Sequence, residues 1–197
     1  MKQAICKLSS ASEYSQSRPY QTEKLSKELP KDYEERTWKD RLHLDKKDPT
    51  MVIIPPMVFK NCLSECAKFR SIQIPGKGKA TYTKHFEAGV QVTEPMHINI
   101  KAADVEGEWV FVPVTGRRGD GSRVYKKFPL ILQWSGEITF YVMDETITED
   151  VFREHLEEAG RFIGIGRFRP RNNGYYGRFN VDDVQWSDLG NIGQVAA

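Results

Sequence analysis

The sequence is poor in the residues that hold small proteins together through disulfides or metals. It has three cysteines, Cys6, Cys62 and Cys66, which cannot all pair, and it contains no CxxC motif or Cys/His ligand spacing. Such usage is typical of a reducing compartment and argues against a zinc module. The four histidines show no HExxH or paired spacing. We therefore expect a fold that depends on its hydrophobic core, with no metal and no cofactor.

Long hydrophobic runs are also missing. No apolar stretch approaches the roughly 18 residues of a transmembrane helix, and the N-terminus contains no apolar signal region. The 197 residues, of which 39% are hydrophobic, suit one compact domain. These features predict a cytoplasmic protein with no membrane partner.

A net charge of one sign is absent as well, because 29 basic and 27 acidic residues leave only +2. The charges are nevertheless sorted into blocks: residues 60–86, 117–127 and 159–181 are basic, whereas residues 87–116 and 137–158 are acidic. This sorting is typical of a protein with one basic face, although alternating solvated elements of an ordinary domain produce the same pattern.

Hydrophobic periodicity predicts the regular elements. Strands are expected at residues 2–9, 51–54, 89–92, 97–100, 108–114, 124–134, 137–143 and 176–181. A helix is expected from Pro56, with an inner face formed by Phe59, Cys62, Leu63, Cys66, Ala67 and Phe69. A second helix is expected after Thr148, whose side chain would cap it, and acidic residues follow in its first turn.

A strand–helix–strand arrangement at the C-terminus, with a strand and helix earlier, indicates an α+β sandwich with the helices on one face of a sheet. We expect residues 1–197 to form a single domain. The polar residues 10–50 would be a peripheral arm, residues 73–86 a basic loop leading into a strand, and residues 182–197 a flexible tail.

The segment Ala159–Val181 has the strongest functional pattern. It interleaves five arginines, five aromatic residues and five glycines without a single acidic residue. Arginine grips phosphate through its planar fork, glycine lets backbone N–H groups approach an anion, and aromatic faces stack on unpaired bases. The pattern thus suits single-stranded nucleic acid. The structural alternative is a turn with Phe162, Phe168 and Phe179 in the core and arginines that are solvated or neutralised by the acidic helix upstream.

Two further basic loops, at 75–85 and 116–127, would converge with this segment on one groove, unless all three are independent solvated turns. The nucleic-acid-binding residues predicted in this way are Arg18, Lys77, Lys79, Lys84, His85, Arg117, Arg118, Arg123, Lys126, Gly164, Gly166, Arg167, Arg169, Arg171, Tyr175, Tyr176 and Arg178. The carboxylate pairs Asp144–Glu145 and Asp182–Asp183 leave a metal-dependent nuclease as a weaker hypothesis.

The motifs SQSRPY, ERTWKDRLH, IPPMVFKNCLSECAKF, IPGKGKATYTKHFEAG and AGRFIGIGRFRPRNNGYYGRF resemble a family of uncharacterised bacteriophage and prophage proteins across nearly the whole chain. That resemblance implies a protein of the host-cell cytoplasm and transfers no activity.

The C-terminal order of helix, glycine-rich basic loop and strand GRFNV loosely resembles the RAMP superfamily of CRISPR-associated RNA-binding proteins. The resemblance implies a ferredoxin-like (RAMP/RRM-like) βαββαβ domain with an antiparallel sheet, here with an arm and hairpin insertions. It also implies that the loop contacts the RNA backbone, through Gly164, Gly166, Arg167, Arg169, Arg171, Gly174 and Gly177. Residues 169–173 lengthen this loop relative to the superfamily, and no catalytic histidine carries over.

Taken together, these patterns predict a phage-encoded, non-enzymatic protein that binds single-stranded RNA or DNA. It would assemble as a homo-oligomer or within a multi-subunit complex along the strand, with residues 10–50 gripping a neighbouring subunit. The alternative is a protein-interaction factor that mimics or inhibits a host defence complex through the acidic helix at 145–158. A metal-dependent nuclease is the third hypothesis.

Overall fold

The strand segments near both ends of the chain pair with each other in the structure, a computed structural model that describes residues 1–114 and 121–189. The strands are β1 (Lys2–Ser10), β2 (Tyr14–Ser15), β3 (Met51–Ile54), β4 (Val90–Gln91), β5 (Met96–Lys101), β6 (Glu106–Pro113), β7 (Arg123–Ile131), β8 (Ser135–Val142) and β9 (Phe179–Asp188). The α-helices are α1 (Pro30–Thr37), α2 (Pro56–Arg70), α3 (Thr83–Gly89) and α4 (Glu149–Glu158).

The central sheet has the order β4–β8–β1–β9, and every neighbouring pair is antiparallel. Along the chain its members and the two long helices follow as β1–α2–β4–β8–α4–β9. This is the split βαβ arrangement of ferredoxin-like domains, in which the fourth strand lies beside the first. The predicted ferredoxin-like α+β fold is therefore confirmed.

Helices α2 and α4 cover one face of this sheet, as the residue periodicity predicts. In β1, Ala4, Cys6 and Leu8 are fully buried toward the helices, whereas the intervening Lys7 is exposed. On α2, the inner face is buried from Phe59 to Ala67. The exception is the predicted inner residue Phe69, which is 52% exposed because it lies in the last turn of α2, beyond the buried stretch.

The start of α4 is capped as expected, since the Thr148 hydroxyl accepts a hydrogen bond from the Val151 amide. After Glu158 the helix widens into a π-helical turn, Ala159–Ile163, before the glycine-rich segment begins. Gly160 lies in this turn against β9. A Cβ at this position would lie 3.0 Å from the Phe179 ring, so glycine, which has no Cβ, allows the turn to approach β9 closely.

Two smaller sheets are inserted into this framework. One is β2–β7–β6, in which β6 and β7 pair antiparallel, and the other pairs β3 with β5. Within the described residues, no helix is long and apolar enough to cross a bilayer.

The region predicted to be a peripheral arm contributes to the core. Tyr14, Trp38 and Leu42 are at most 8% exposed, because β2 pairs with β7 and the 3₁₀ turn Trp38–Arg41 packs against that strand. The ring of Tyr14 makes an edge contact with Trp134. Residues 10–50 are thus an integrated insertion.

Two other boundaries also differ from expectation. The predicted tail begins inside β9, which runs to Asp188 because Val184 is buried and Trp186 packs on Phe152. The basic loop leads into the helix α3 and not into a strand. The ammonium of Lys60 donates to the carbonyls of Phe86 and Glu87 near the end of α3, which satisfies groups that a short helix leaves open.

Candidate nucleic-acid interface

A groove of about 730 Å³ opens between the β6–β7 hairpin, the segment after β2 and the loop that follows the π-helical turn. Its cationic lining residues are Arg18, Arg41, Arg123, Lys126 and Arg167, and its aromatic ones are Tyr20, Phe111, Phe128 and Phe168. No carboxylate is among the lining residues that the structure describes. We call this the basic groove.

The backbone brings these distant residues together. The Arg18 amide donates to the Arg41 carbonyl at 2.9 Å, and the Arg167 amide donates to the Ser15 carbonyl at the same distance. The segment after β2, the 3₁₀ turn and the glycine-rich loop therefore meet at one place. Strand β7 supplies Arg123 and Lys126 from the facing side.

Two stacked arginines form the floor of the basic groove. The guanidinium carbons of Arg167 and Arg41 lie 3.9 and 4.9 Å from the centroid of the Phe128 ring. Arg41 also pairs with Glu34 at 2.7 Å, whereas Arg167 reaches Glu108 only at 3.6 Å. The floor is thus one aromatic ring held against two cations, the second of which is incompletely neutralised.

The charge on Arg167 is costly in this position. Burial lowers the pKa of its guanidinium, and the nearby charge of Arg41 lowers this pKa further, although Glu108 opposes both. Arg167 Nη2 and Arg41 Nε are also buried without a hydrogen-bond partner in the described part of the chain. A desolvated positive charge of this kind is stabilised by an anion in the groove.

The rim cations are Arg18, Arg123 and Lys126. Within residues 1–114 and 121–189, none of the three has a carboxylate within ion-pair distance. The guanidinium of Arg18 donates to the carbonyl of Asp40, and Arg123 lies 5.9 Å above the Phe111 ring. These charges remain available to an external anion.

The rim also carries exposed aromatic faces. Phe111 is 48% and Phe168 is 45% exposed. The alternative that places Phe168 and Phe162 in the core is therefore wrong, because both are about half exposed. Phe179 is buried, as that alternative expects. Phe168 has a φ of +58°, which is unusual for a bulky residue. Its carbonyl accepts a hydrogen bond from the Tyr176 amide, which fixes this conformation. The exposed rings can stack on unpaired bases.

Glycines hold the loop against the rest of the protein. At Gly166, with a φ of +75°, a Cβ would lie 2.6 Å from the Ser15 carbonyl oxygen. At Gly177, also at +75°, it would overlap the Ile165 carbonyl oxygen. Gly164 and Gly174 are packed just as closely, against Pro170 and Phe168. These glycines are required to position Arg167, and their contact with an RNA backbone stays a prediction.

The two tyrosines of the loop differ in role. Tyr176 is only 4% exposed, which is incompatible with the predicted stacking on a base. Its hydroxyl lies 2.8 and 2.9 Å from the two Glu108 carboxylate oxygens, and burial raises its pKa. Tyr176 therefore holds Glu108 near Arg167. Tyr175 is 55% exposed, so its contact with a base stays a prediction.

The remaining arginines of the segment point away from the basic groove. Arg169 and Arg171 both pair with Glu65 of α2, at 2.7 and 3.4 Å. Arg178 donates to the carbonyl of Arg161 at 3.1 Å, and Arg161 lies 3.7 Å from Glu158. Most of these guanidiniums thus have partners inside the protein, which the arginine spacing alone did not indicate.

The expected convergence of three basic loops is wrong. Lys77 contacts the Thr146 hydroxyl at 3.4 Å, and His85 Nδ1 lies 2.6 Å from Asp144, so this loop packs against the connection between β8 and α4. Lys79 of this loop and Lys84 in α3 are exposed, and neither lines the basic groove. Arg117 and Arg118 lie outside the described residues.

Sequence reasoning missed Arg41, Tyr20 and Phe128. Arg41 stands in the motif ERTWKDRLH with Arg36 and Trp38, and Tyr20 stands in SQSRPY with Arg18; these combinations were the available signal. Among the described residues, no group of three histidine, cysteine or carboxylate side chains is placed to hold a metal ion.

No protein-family model and no curated protein matches this sequence. Among solved structures, the chain is similar to one in "Cryo-EM structure of the Type III-B Cmr-beta bound to cognate target RNA", with 11% identity and a TM-score of 0.53. The aligned region covers 94% of this chain and 60% of that one, so this chain spans less than two thirds of its length. The fold is RAMP-like. The predicted resemblance is thereby confirmed at the level of fold.

A second solved structure, "Crystal structure of Cmr6 from Pyrococcus furiosus", is 13% identical with a TM-score of 0.48, over 92% of this chain and 99% of that one. Similarity at such identities concerns the fold alone. No comparison bears out the resemblance to bacteriophage proteins.

Proposed function

We propose that this RAMP-like protein binds single-stranded nucleic acid in the basic groove. The observation that carries the proposal is the lining itself: five cations and four aromatic rings from separate parts of the chain, with no described carboxylate among them. Phosphates would lie against the rim cations Arg18, Arg123 and Lys126, over the positive floor made by Arg41 and Arg167. Bases would stack on the exposed faces of Phe111 and Phe168.

RNA is the favoured strand, and a multi-subunit complex the favoured setting. Both follow by analogy from the similar solved chain, which belongs to a Type III-B complex bound to target RNA. The bacteriophage origin, the cytoplasmic location and the repeated copies along a strand remain hypotheses within the same proposal. Residues 10–50 no longer suit an arm that grips a neighbour, because Tyr14 and Leu42 are buried in their own domain.

The alternative function uses the acidic helix α4 as a protein-binding surface. Two of its carboxylates are engaged within the chain, since Glu154 pairs with Arg70 at 2.8 Å and Glu149 lies 3.7 Å from Arg153. These pairs leave less uncompensated charge on α4 than the sequence indicates. The basic groove is therefore the stronger candidate site.

The test is binding of fluorescently labelled single-stranded RNA and DNA, measured by anisotropy. Reversing two rim charges, with Arg123→Glu and Lys126→Glu together, should weaken binding by more than about tenfold. The matched control reverses Lys77 and Lys79, which are equally basic but lie outside the groove, and should leave affinity within about twofold. Equal losses in both double variants, or no binding by the natural sequence, would refute the proposal.

The same samples address catalysis. Incubation of the labelled strands with added Mg²⁺ or Mn²⁺ should return intact strands if the protein is a binder. Turnover that requires the metal would instead favour the nuclease hypothesis.

A further inference from the structure

Two exposed aromatic rings lie next to the basic groove without belonging to it. Phe69, in the last turn of α2, is 52% exposed, and Phe162, in the π-helical turn, is 50% exposed. Their ring centroids are 6.4 Å apart with a tilt of 36°. The guanidinium of Arg171 lies over the Phe69 ring at 5.3 Å. We call these three side chains the second platform.

The fold does not use the exposed faces of these rings. Core contacts of α2 come from its buried stretch, which ends at Ala67. Both phenylalanines therefore keep about half of their surface in water, at a cost that a ligand would relieve. A π-helical turn is itself a rare element that often marks a functional site.

The surroundings of the second platform are cationic. Arg161 is 71% exposed and Lys68, which neighbours Phe69 in sequence, is exposed as well. Two nearby acids are paired within the protein, since Glu65 is shared between Arg169 and Arg171 and Glu158 lies 3.7 Å from Arg161. A pair of aromatic faces flanked by arginine and lysine suits bases and phosphates better than the aliphatic surface of a protein partner.

The second platform is continuous with the basic groove. Asn172 lines the groove, and the adjacent Arg171 extends from the same short 3₁₀ turn, Pro170–Asn172, onto Phe69. A strand that leaves the groove past Phe168 and Asn172 therefore reaches the short 3₁₀ turn that carries Arg171 and then the two rings.

We infer that Phe69 and Phe162 form a second base-stacking site, which extends the footprint of a bound single strand beyond the basic groove. The inference rests on the proposed function, since the strand must first occupy the groove. Its ligand is the next segment of that strand, with its bases on the two phenylalanines.

The experiment compares single strands of two lengths, about 4 and about 16 nucleotides, which bracket the usual site sizes of such grooves. The double variant Phe69→Ala/Phe162→Ala should bind the long strand at least about fivefold more weakly than the natural sequence does, because one or two stacked bases are lost. Its affinity for the short strand should be unchanged. Its unfolding midpoint should also stay close to that of the natural sequence, since both rings are half exposed.

The matched control is Met57→Ala, which removes another exposed apolar side chain, 55% exposed, from the opposite end of α2. It should change neither affinity. Unaltered binding of the long strand by the double variant, or equal weakening for both lengths, would overturn the inference while leaving binding in the groove intact. Loss of self-association in light scattering, with strand binding preserved, would likewise overturn it and assign the rings to a protein contact. Failure of the natural sequence to bind either strand would reject both proposals together.

Discussion

The salt dependence of binding follows directly from the charge pairing in the basic groove. Three rim cations, Arg18, Arg123 and Lys126, have no carboxylate partner within the described residues, whereas the floor arginines have Glu34 and Glu108. Each phosphate contact to a single strand contributes about −0.7 to the slope of log affinity against log salt. Three contacts therefore predict a slope of about −2 for a short strand.

Replacing Arg123 and Lys126 with glutamine should reduce that slope to about −0.7, because one rim contact remains. The control is Arg169→Gln with Arg171→Gln, which removes the same formal charge from residues that Glu65 already neutralises. Its slope should stay near −2 for the short strand. Anisotropy titrations at several salt concentrations measure all three slopes. Equal slopes for the two double variants would show that overall charge, and not the groove, drives binding, and the reasoning would fail.

Three further predictions concern the fold. Gly177→Ala should destabilise the protein by at least about 1–2 kcal/mol, the cost of the left-handed conformation, with more from the overlap at Ile165. Burial lowers the pKa of His155, so stability should be full above about pH 6.5 and fall as protons bind the unfolded chain below it. Burial raises the pKa of the Cys6 and Cys66 thiols to about 12, so neither should react with a thiol reagent before unfolding.

Each of these has a matched comparison. Gly76 has the same φ of +75° but open space around it, so Gly76→Ala should cost less than Gly177→Ala in chemical denaturation, and equal costs would contradict the packing argument. His155→Phe should lose less of its thermal stability between about pH 7.5 and about pH 5 than the natural sequence, and an identical pH profile would exclude His155 as the cause. Rapid labelling of the native thiols would show that the core opens readily.

The elements that follow from local pattern were predictable. Strand β3 covers Met51–Ile54, and helix α2 begins at Pro56, as the apolar run and the two prolines indicate. Both signals act within a few residues of the chain. Helix α3 was not predictable in this way. Its Thr83 and Phe86 favour a strand locally, but the ammonium of Lys60 and the packing of Phe86 on His155 stabilise a helix.

The candidate site was predictable only in part. The sequence indicates which segments are basic and aromatic, and the groove does contain Arg18, Arg123, Lys126 and Arg167. It does not indicate which charges are neutralised, since the partner of Arg169 and Arg171 is a glutamate about a hundred residues earlier in the chain.

The sequence by itself determined the alternation of strands and helices, the buried faces and the concentration of arginine near the C-terminus, because periodicity and composition are local properties. Only the tertiary structure decided where the charge acts. By pairing β2 with β7 and seating Gly166 against Ser15, it brings Arg167 and Arg41 onto one phenylalanine and turns their neighbours toward Glu65. A cation attracts an external anion most strongly where no internal carboxylate neutralises it, and that depends on contacts between segments far apart in the chain.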